Sequence, residues 1–437
     1  MTASERTVQL LAEIVKPVPI GTNLALLQLM WAMVSGAFLQ SRGAVHSAMT
    51  AAGFAAEATR RSWQALRRGV WSIDELIERW REIVWRETDW QVQVHQGWQP
   101  VALDITAFWR PKLKGWPCRW FHSLAQRLMP GVGIGKVVDV GRVGGQRVPL
   151  LRRLFRSRVS REGKEQLEER LLAYAASELA ENEIALFDAG FKLSKLTEAG
   201  VRHFLVRQAN NCTFRRNELP QRESNVGRPP EYGEIVRPVA RIYKDNSLAA
   251  SQPDHRESFV VGERTVIAHG WNKLVRNDQK VAQENTLLCT WAFFDPHYQK
   301  PLVLTTPIAQ LSAETVYRCF PDRWPVEQLP QTAKQMLGLG RQFVFAPTSC
   351  QRLPELALLV GNILTILAAT LPPTPSGFWD RAPQKTPGRL RRTLQRQGFP
   401  YSFPLDGRIC QKSAYTDHLP KGIAAHRRQK GEHLPAT

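Results

Sequence analysis

Three acidic residues stand where carboxylates could hold a catalytic metal ion. Asp104 lies in an apolar run between Leu103 and Ile105, and a charge buried there is costly unless it is paired or binds a metal. Asp188 ends a second apolar run, and Glu327 lies in a helical segment. Carboxylate oxygens are the ligands that Mg²⁺ or Mn²⁺ prefers. Two such ions about 4 Å apart can activate a water or a 3′-hydroxyl and stabilise the leaving oxygen of an in-line phosphoryl transfer.

These positions do not by themselves select the ligands. An aspartate at the end of a strand is often only a turn or cap residue. Asp139 is a rival for Asp104 as the first ligand, and Asp322 is a rival for Glu327. The order of two strand aspartates and a helical glutamate therefore leaves the choice open.

The segment over 320–340 spaces its charged residues in a distinctive way. It reads FPDRWPVEQLPQTAKQMLGLG, with Arg323 four residues before Glu327 and Lys334 seven residues after it. This resembles the Y-x2-R-x3-E-x6-K signature of the IS4-type DDE transposases, including their RW-x-(I/V)-E beginning and the LGLG that follows. Phe320 stands where that family has tyrosine.

The resemblance implies a role for each matching residue. It makes Asp104, Asp188 and Glu327 the catalytic, metal-binding triad of a site with two Mg²⁺ or Mn²⁺ ions. Arg323 and Lys334 match the residues that contact phosphates of the transposon end in the family. Arginine forks onto phosphate oxygens, and a lysine two helical turns from Glu327 falls on nearly the same face.

The surrounding elements predict a mixed sheet flanked by helices. Pro325 and Pro330 are unusual inside a helix and indicate a kink, or a helix start at Trp324. Short β-like runs between polar turns indicate a β-rich insertion at 209–300. The resemblance implies an α/β fold whose RNase H-like core, at 98–208 and 301–375, is interrupted by that insertion. Apolar or alternating runs predict strands over 101–108, 136–143, 146–151, 184–190, 203–208 and 302–308, and an amphipathic helix over 161–181.

Residues 1–97 are predicted to be a helical, DNA-binding region, because apolar residues recur there at spacings of three and four. A helix-turn-helix-like pair has its first helix ending near Ala52. The alternative is an ordinary helical hairpin whose arginines are solvated. The clustering of basic residues on the second helix favours DNA contact through Arg60, Arg61, Arg67 and Arg68.

Trp271 lies in the motif AHGWNK of the insertion and is a candidate for stacking on a flipped DNA base. Such stacking is worth ~1–3 kcal/mol per base. The alternative is a packed core residue, since the chain has 14 tryptophans.

The charge of the chain favours a polyanionic partner. Lys and Arg total 59 against 39 Asp and Glu, a net charge of +20 in 437 residues. The region 376–437 is predicted to be a basic C-terminal tail, and 381–437 alone holds 12 basic residues against three acids. That pattern is typical of an arm that contacts nucleic acid or is disordered.

The chain shows no sign of secretion or membrane insertion. Its six cysteines are scattered without a C-x-x-C motif, and the N-terminus lacks the order of a signal peptide, so a cytosolic protein with reduced thiols is expected. Apolar runs at 24–39 and 356–371 have about 16 residues each, fewer than the ~20 that a bilayer core requires. Both are predicted to be buried helices.

The resemblance implies a DNA transposase that cleaves and transfers strands at the terminal inverted repeats of an insertion sequence. Its partners would be duplex DNA of the transposon ends and target, with a homodimer in the synaptic complex, in a bacterial cytoplasm and at its nucleoid. No GxxxxGK[ST] motif occurs, so no nucleotide cofactor is expected. The alternatives are an inactive or domesticated transposase that only binds DNA, and an RNase H-like structure-specific nuclease.

Overall fold

The computed structural model describes residues 1–116, 118–157, 163–221, 228–281, 283–375 and 377–411. Over these residues the chain is mixed α/β, with one large mixed sheet flanked by helices. The α/β class predicted from the sequence is confirmed at this level.

Six helices precede the main strands, as predicted for residues 1–97. The first begins at a capping box, in which Thr2 and Glu5 each accept a hydrogen bond from the other's backbone N–H. A turn at Gly53, with φ +82°, separates the fourth and fifth helices, close to where the sequence predicts the first helix of the pair to end. The helices are α1 (Ala3–Val15), α2 (Thr22–Val34), α3 (Ala37–Gln40), α4 (Val45–Ala51), α5 (Ala56–Arg68) and α6 (Ile73–Glu87).

Fifteen strands are assigned in the described residues, and all but one hairpin belong to one sheet of 13 strands. They are β1 (Gln91–Val92), β2 (Gln99–Trp109), β3 (Arg119–His122), β4 (Arg127–Val143), β5 (Gln146–Arg156), β6 (Glu183–Phe187), β7 (Phe204–Gln208), β8 (Phe214–Arg216), β9 (Ile235–Val236), β10 (Arg241–Tyr243), β11 (Asn246–Leu248), β12 (His255–Val261), β13 (Arg264–Arg276), β14 (Leu288–Phe294) and β15 (Leu302–Thr306). The separate hairpin is β10–β11.

The centre of the sheet combines both kinds of pairing. Its order is β1-β4-β2-β6-β7-β15-β14-β13-β8-β9, with β5 and β3 on β4 and β12 on β13. β2 runs antiparallel to β4 and parallel to β6, and β6 runs parallel to β7. The two strands run in the same direction, and β2 continues to Trp109, past its last pair with β6 at Ala102 and Leu186.

The region 209–300 extends this sheet and does not form a separate unit. β15 pairs with β7 on one side, with Thr305 opposite Val206, and with β14 on the other, with Thr305 opposite Thr290. The prediction that 302–308 resumes the core sheet is confirmed. The β-rich character of the insertion is confirmed as well, and its longer strands continue the same layer.

The remaining helices cover the sheet. Leu171 of α7 shares a buried cluster with Leu103 and Phe187, whereas Leu356 of α11 packs with Val138 on the other side. These helices are α7 (Lys164–Ser177), α8 (Leu193–Glu198), α9 (Ala313–Cys319), α10 (Trp324–Gln331), α11 (Pro347–Thr370) and α12 (Pro387–Gln397). A 3₁₀ turn over Phe320–Arg323 precedes α10, and a π turn over Thr332–Met336 follows it.

Both apolar runs are core helices, as predicted. The run at 24–39 divides into α2 and α3 at Gly36, whose φ is +81°. α11 is longer than its apolar run, 24 residues, and by length and composition alone it could cross a membrane. However, 94% of its most apolar window is buried inside the fold, as in the core helix of a globular protein.

The C-terminal region is docked as far as residue 411, so of the two interpretations of the basic tail, the disordered arm does not apply to 381–411. Leu390 and Leu394 of α12 are buried in the same core as the N-terminal helices. Gly21 N–H donates to the carbonyl of Cys410 at 3.1 Å, and the amide of Asn23 donates to the carbonyl of Arg408. These contacts hold the segment in place because they bury its leucines and pair its backbone carbonyls with donors of the N-terminal region. Residues 412–437, with the HRRQK motif, lie outside the described residues.

Candidate active site

Asp104 lies on β2 directly opposite Lys136 of β4. The Nζ of Lys136 donates to Oδ2 of Asp104 at 2.7 Å and contacts the carbonyl of Val326 at 3.3 Å. Lys136 is fully buried, while the Asp104 side chain keeps 22% of its surface exposed. The charge that the sequence placed in an apolar strand is therefore paired, and its partner also links β2 to α10.

Asp188 is the residue directly after β6, the strand that pairs with β2. The last recorded pair between β2 and β6 is Ala102 with Leu186, so Asp104 and Asp188 both lie two residues further, at the same level of adjacent parallel strands. Oδ1 of Asp188 accepts the backbone N–H of Gly190 at 2.9 Å and shapes the turn that follows. The register thus brings the two aspartates to the same level of the sheet, Asp104 within β2 and Asp188 just after β6.

Glu327 lies in the first turn of α10, which begins at Trp324 as the prolines predicted. Pro325 is tolerated there because the first backbone N–H groups of a helix have no intrahelical partner. Nη1 of Arg323 donates to Oε1 of Glu327 at 2.5 Å, and its guanidinium lies 5.4 Å from the ring of Trp324. Arg323 is buried, whereas the Glu327 side chain is 39% exposed. The two residues of the motif neutralise each other.

Lys334 lies in the π turn after Pro330 and reaches back to β2. Its Nζ donates to Oγ1 of Thr106 at 3.0 Å and to the carbonyl of Ala107 at 2.8 Å. It also lies 4.9 Å from the ring centroid of Trp109. Burial, and then the nearby charge of Lys136, lower the pKa of Lys334 to about 8 against the opposing effect of Asp104.

The acids do not form a metal site in this arrangement. Across the described residues, no group of three or more His, Cys, Asp or Glu side chains is placed to hold a metal ion. Asp104 is paired with Lys136 and Glu327 with Arg323. Each of these cations holds one carboxylate oxygen, Oδ2 of Asp104 and Oε1 of Glu327. The predicted pair of Mg²⁺ or Mn²⁺ ions would require Asp104 and Glu327 to exchange these cations for metal, so the two-ion site stays a prediction.

The rival aspartates are held in ion pairs of their own. Asp139 is buried between Arg81 and Arg152, and Arg152 also pairs with Glu183. This network joins α6, β4, β5 and β6, so Asp139 has a structural role.

Asp322 is fully buried between Arg147, at 2.8 Å, and His95, at 2.6 Å. It fixes the 3₁₀ turn before α10 against the hairpin of β4 and β5. Neither it nor Asp139 is available as a ligand.

Trp271 is a core residue, so its predicted role in base stacking is wrong. Its side chain is fully buried in β13, and its indole N–H donates to the carbonyl of Gln252 at 2.9 Å. A ring without accessible faces cannot stack on a base.

The four arginines of α5 lie toward solvent. Arg60, Arg67 and Arg68 are exposed and Arg61 is half-buried, while Arg60 and Arg61 share an ion pair with Glu57. The α5 arginines therefore form a basic surface accessible to DNA, and Glu57 neutralises part of its charge.

Comparison of the sequence with models of known protein families and with curated proteins finds no match. The resemblance of 320–340 therefore rests on its residues alone. Sequence reasoning missed Lys136, although a lysine in the apolar run KVVDVGRV was a signal for a buried ion pair.

Proposed function

We propose that this protein is a DNA transposase resembling the IS4 type, which cleaves and transfers strands at the terminal inverted repeats of an insertion sequence. The observation that carries the proposal is the contact between α10 with its π turn and the strand of Asp104. Lys334 bonds to Thr106 and Ala107, and Lys136 connects Asp104 to Val326 beside Glu327. On this proposal the protein acts on duplex DNA as a homodimer in the bacterial cytoplasm and nucleoid.

The central strands support an RNase H-like core as the finer description of the fold. An antiparallel set of β5, β4 and β2 is continued by the parallel strands β6 and β7. Helices pack against both sides of this unit. Asp104 then lies on β2 and Asp188 directly follows the adjacent parallel strand β6, as the proposed triad requires.

The motif residues have a direct use in binding DNA. Arg323 would hold a phosphate with its guanidinium, and that phosphate would compete with Glu327 for the same donors. Binding would thereby release the Glu327 carboxylate. Lys334 would place positive charge beside the scissile phosphate, where the transition state gathers negative charge. None of these steps depends on a metal ion, although bound divalent ions would supply activation of the attacking oxygen.

A DNA-binding protein without cleavage is the second candidate. The observation that favours it is the pairing of Asp104 and Glu327 with cationic side chains. If those ion pairs persist on DNA, the protein binds through its basic surface and the carboxylates stay neutralised.

The test is incubation of the purified protein with the ends of its own element and Mg²⁺, alongside Asp188→Asn. We expect strand cleavage by the wild type and a loss of cleavage by orders of magnitude in the variant. Binding should survive, because phosphate contacts come from other residues. Binding without cleavage by the wild type would select the second candidate, and cleavage of branched DNA alone would select a structure-specific nuclease. Equal loss of binding and cleavage would make Asp188 structural.

A further inference from the structure

A cavity of about 400 Å³ lies at the end of β2 beside the candidate active site. Trp109 and Arg110 form one wall, five and six residues after Asp104, and the segment 340–345 forms another. Lys334 joins the two regions, because its ammonium lies over the ring of Trp109 and its carbonyl accepts the N–H of Gly340. Of the 12 residues that line the cavity, none is acidic.

Arg110 is a buried cation without an acidic partner. It is 5% exposed, and its guanidinium bonds to the carbonyl of Val344, to Oε1 of Gln342 at 3.4 Å and to Sγ of Cys350 at 3.7 Å. Burial raises the pKa of the Cys350 thiol, so all three partners are neutral. No carboxylate in the described part of the chain pairs with it. A buried charge is costly unless a counter-charge meets it, and the cavity offers room for an anion.

Exposed aromatic rings stand beside this charge. Phe343 and Phe345 are 46% and 60% exposed, and the ring of Phe345 lies 5.8 Å from the Cζ of Arg110. The basic side chains of Lys112 and Arg341 line the same cavity. Aromatic faces next to cationic groups are typical of proteins that stack unpaired bases and hold their phosphates.

The loop that carries these rings is anchored. The N–H of Phe343 donates to the carbonyl of Gly43 at 3.3 Å. Gly43 has φ +85°, and a Cβ there would lie 1.8 Å from the carbonyl oxygen of Arg341. Phe343 also lines a second cavity, between α4 and α5, together with Arg60. The rings are therefore displayed on a fixed loop between the helix-turn-helix-like pair and the candidate active site.

We propose that this cavity binds one unpaired nucleotide of a DNA strand, with its phosphate on Arg110 and Arg341 and its base stacked on Phe345. The proposal deepens the proposed function and rests on it for the source of the nucleotide. A free mononucleotide has the same chemistry, so the experiment separates the two sources.

The probe is a DNA duplex with one unpaired 2-aminopurine nucleotide in an overhang, titrated with the full-length protein without divalent metal. We expect wild-type protein to quench the 2-aminopurine fluorescence, because the base stacks. Phe345→Ala should remove the quenching and weaken binding of the overhang duplex by roughly 5- to 150-fold, as loss of one stacked base does. Binding of a blunt duplex should not change. Phe378→Ala, which removes an exposed ring outside the cavity, is the matched control.

Arg341→Gln tests the phosphate contact at an exposed position, since Arg110→Gln could disturb the fold. This substitution should weaken binding of the overhang duplex more than binding of the blunt duplex. Equal binding of both duplexes by wild type and Phe345→Ala would overturn the cavity proposal and leave DNA binding intact. Failure of wild type to bind any DNA would overturn the proposed function as well. Displacement of the overhang by an equal concentration of dAMP would overturn the DNA source in favour of a free nucleotide.

Discussion

The ion pair between Asp104 and Lys136 joins a partly exposed carboxylate to a fully buried ammonium. In Asp104→Ala the buried ammonium of Lys136 loses its counter-charge and keeps its hydrogen bond to the Val326 carbonyl. We therefore expect the free energy of unfolding to fall by ~3–5 kcal/mol. Lys136→Met leaves a carboxylate that water reaches, and its loss should be smaller. Urea denaturation of both variants measures the difference. If Asp104→Ala unfolds at the same urea concentration as the wild type, the ion pair does not stabilise the fold.

Lys334 should make stability depend on pH at the alkaline end. Burial and Lys136 lower its pKa to about 8, against ~10.4 in the unfolded chain. Between these values the unfolded chain binds more protons, so stability rises as the pH rises from about 8 to ~10.4 and is lost as the pH falls through that window. The stability of wild type relative to Lys334→Met should change by up to ~3 kcal/mol across it. Urea melts of both proteins across this interval provide the test, and a constant difference would place the ammonium in solvent.

The roles of individual acids could be predicted only in part. The spacing of Arg323, Glu327 and Lys334 selected a helix that does contact the strand of Asp104. It could not show that Arg323 and Glu327 pair with each other. Asp139 could be set aside only once the sheet register placed Arg152 next to it. Partners that come from other strands cannot be read from local sequence.

At the scale of elements, α5 offers a clear test of DNA contact. Glu57 is paired with Arg60 and Arg61, whose hydrogen bonds lower its pKa to about 2. Glu57→Gln should free both arginines, strengthen binding to any duplex, and steepen the slope of log K against log[salt] by about 0.9 per added phosphate contact. The matched control is Glu314→Gln, which releases Arg318 on α9. Identical binding isotherms for both variants and wild type would support an ordinary helical hairpin.

Because α12 is part of the core, a deletion that removes it affects folding as well as DNA binding. Removing 381–437 takes away Leu390 and Leu394 from the core, so we expect that protein to aggregate or to lose cooperative unfolding. Removing 412–437 alone should leave thermal unfolding unchanged, flatten the salt dependence of DNA binding and weaken all duplexes alike. An unchanged salt slope would mean that the charge of this segment does not contact DNA.

Within single elements the sequence was informative where one residue type fixes the backbone. The prolines predicted the start of α10 at Trp324, and the turn after Ala52 was evident from Gly53. The π turn over Thr332–Met336 was not evident from the sequence, and neither was the bond from Lys334 within it to Thr106 on β2.

For the molecule as a whole, composition and alternation predicted the α/β class and the β-rich insertion. They did not predict that the insertion continues the main sheet, since strand order depends on which edges find partners. β15 shows this, because its short run LVLTT pairs on both sides with strands far apart in the chain. The net charge of +20 is consistent with nucleic acid as the partner and gives no information on the fold.

The shared core of the N-terminal helices also bears on the order of events during synthesis. Residues of α1, α2, α5 and α6 are buried together with α11 and α12, and Gly21 bonds to Cys410. A ribosome needs ~15–60 s to travel from residue 97 to residue 410 at ~5–20 residues per second. Until α11 and α12 have been translated, the first helices can pack only on one another, and the apolar surface that α11 and α12 cover stays open to chaperones. The arginines of α5 can be presented by a folded protein only after every residue of the candidate active site has been translated.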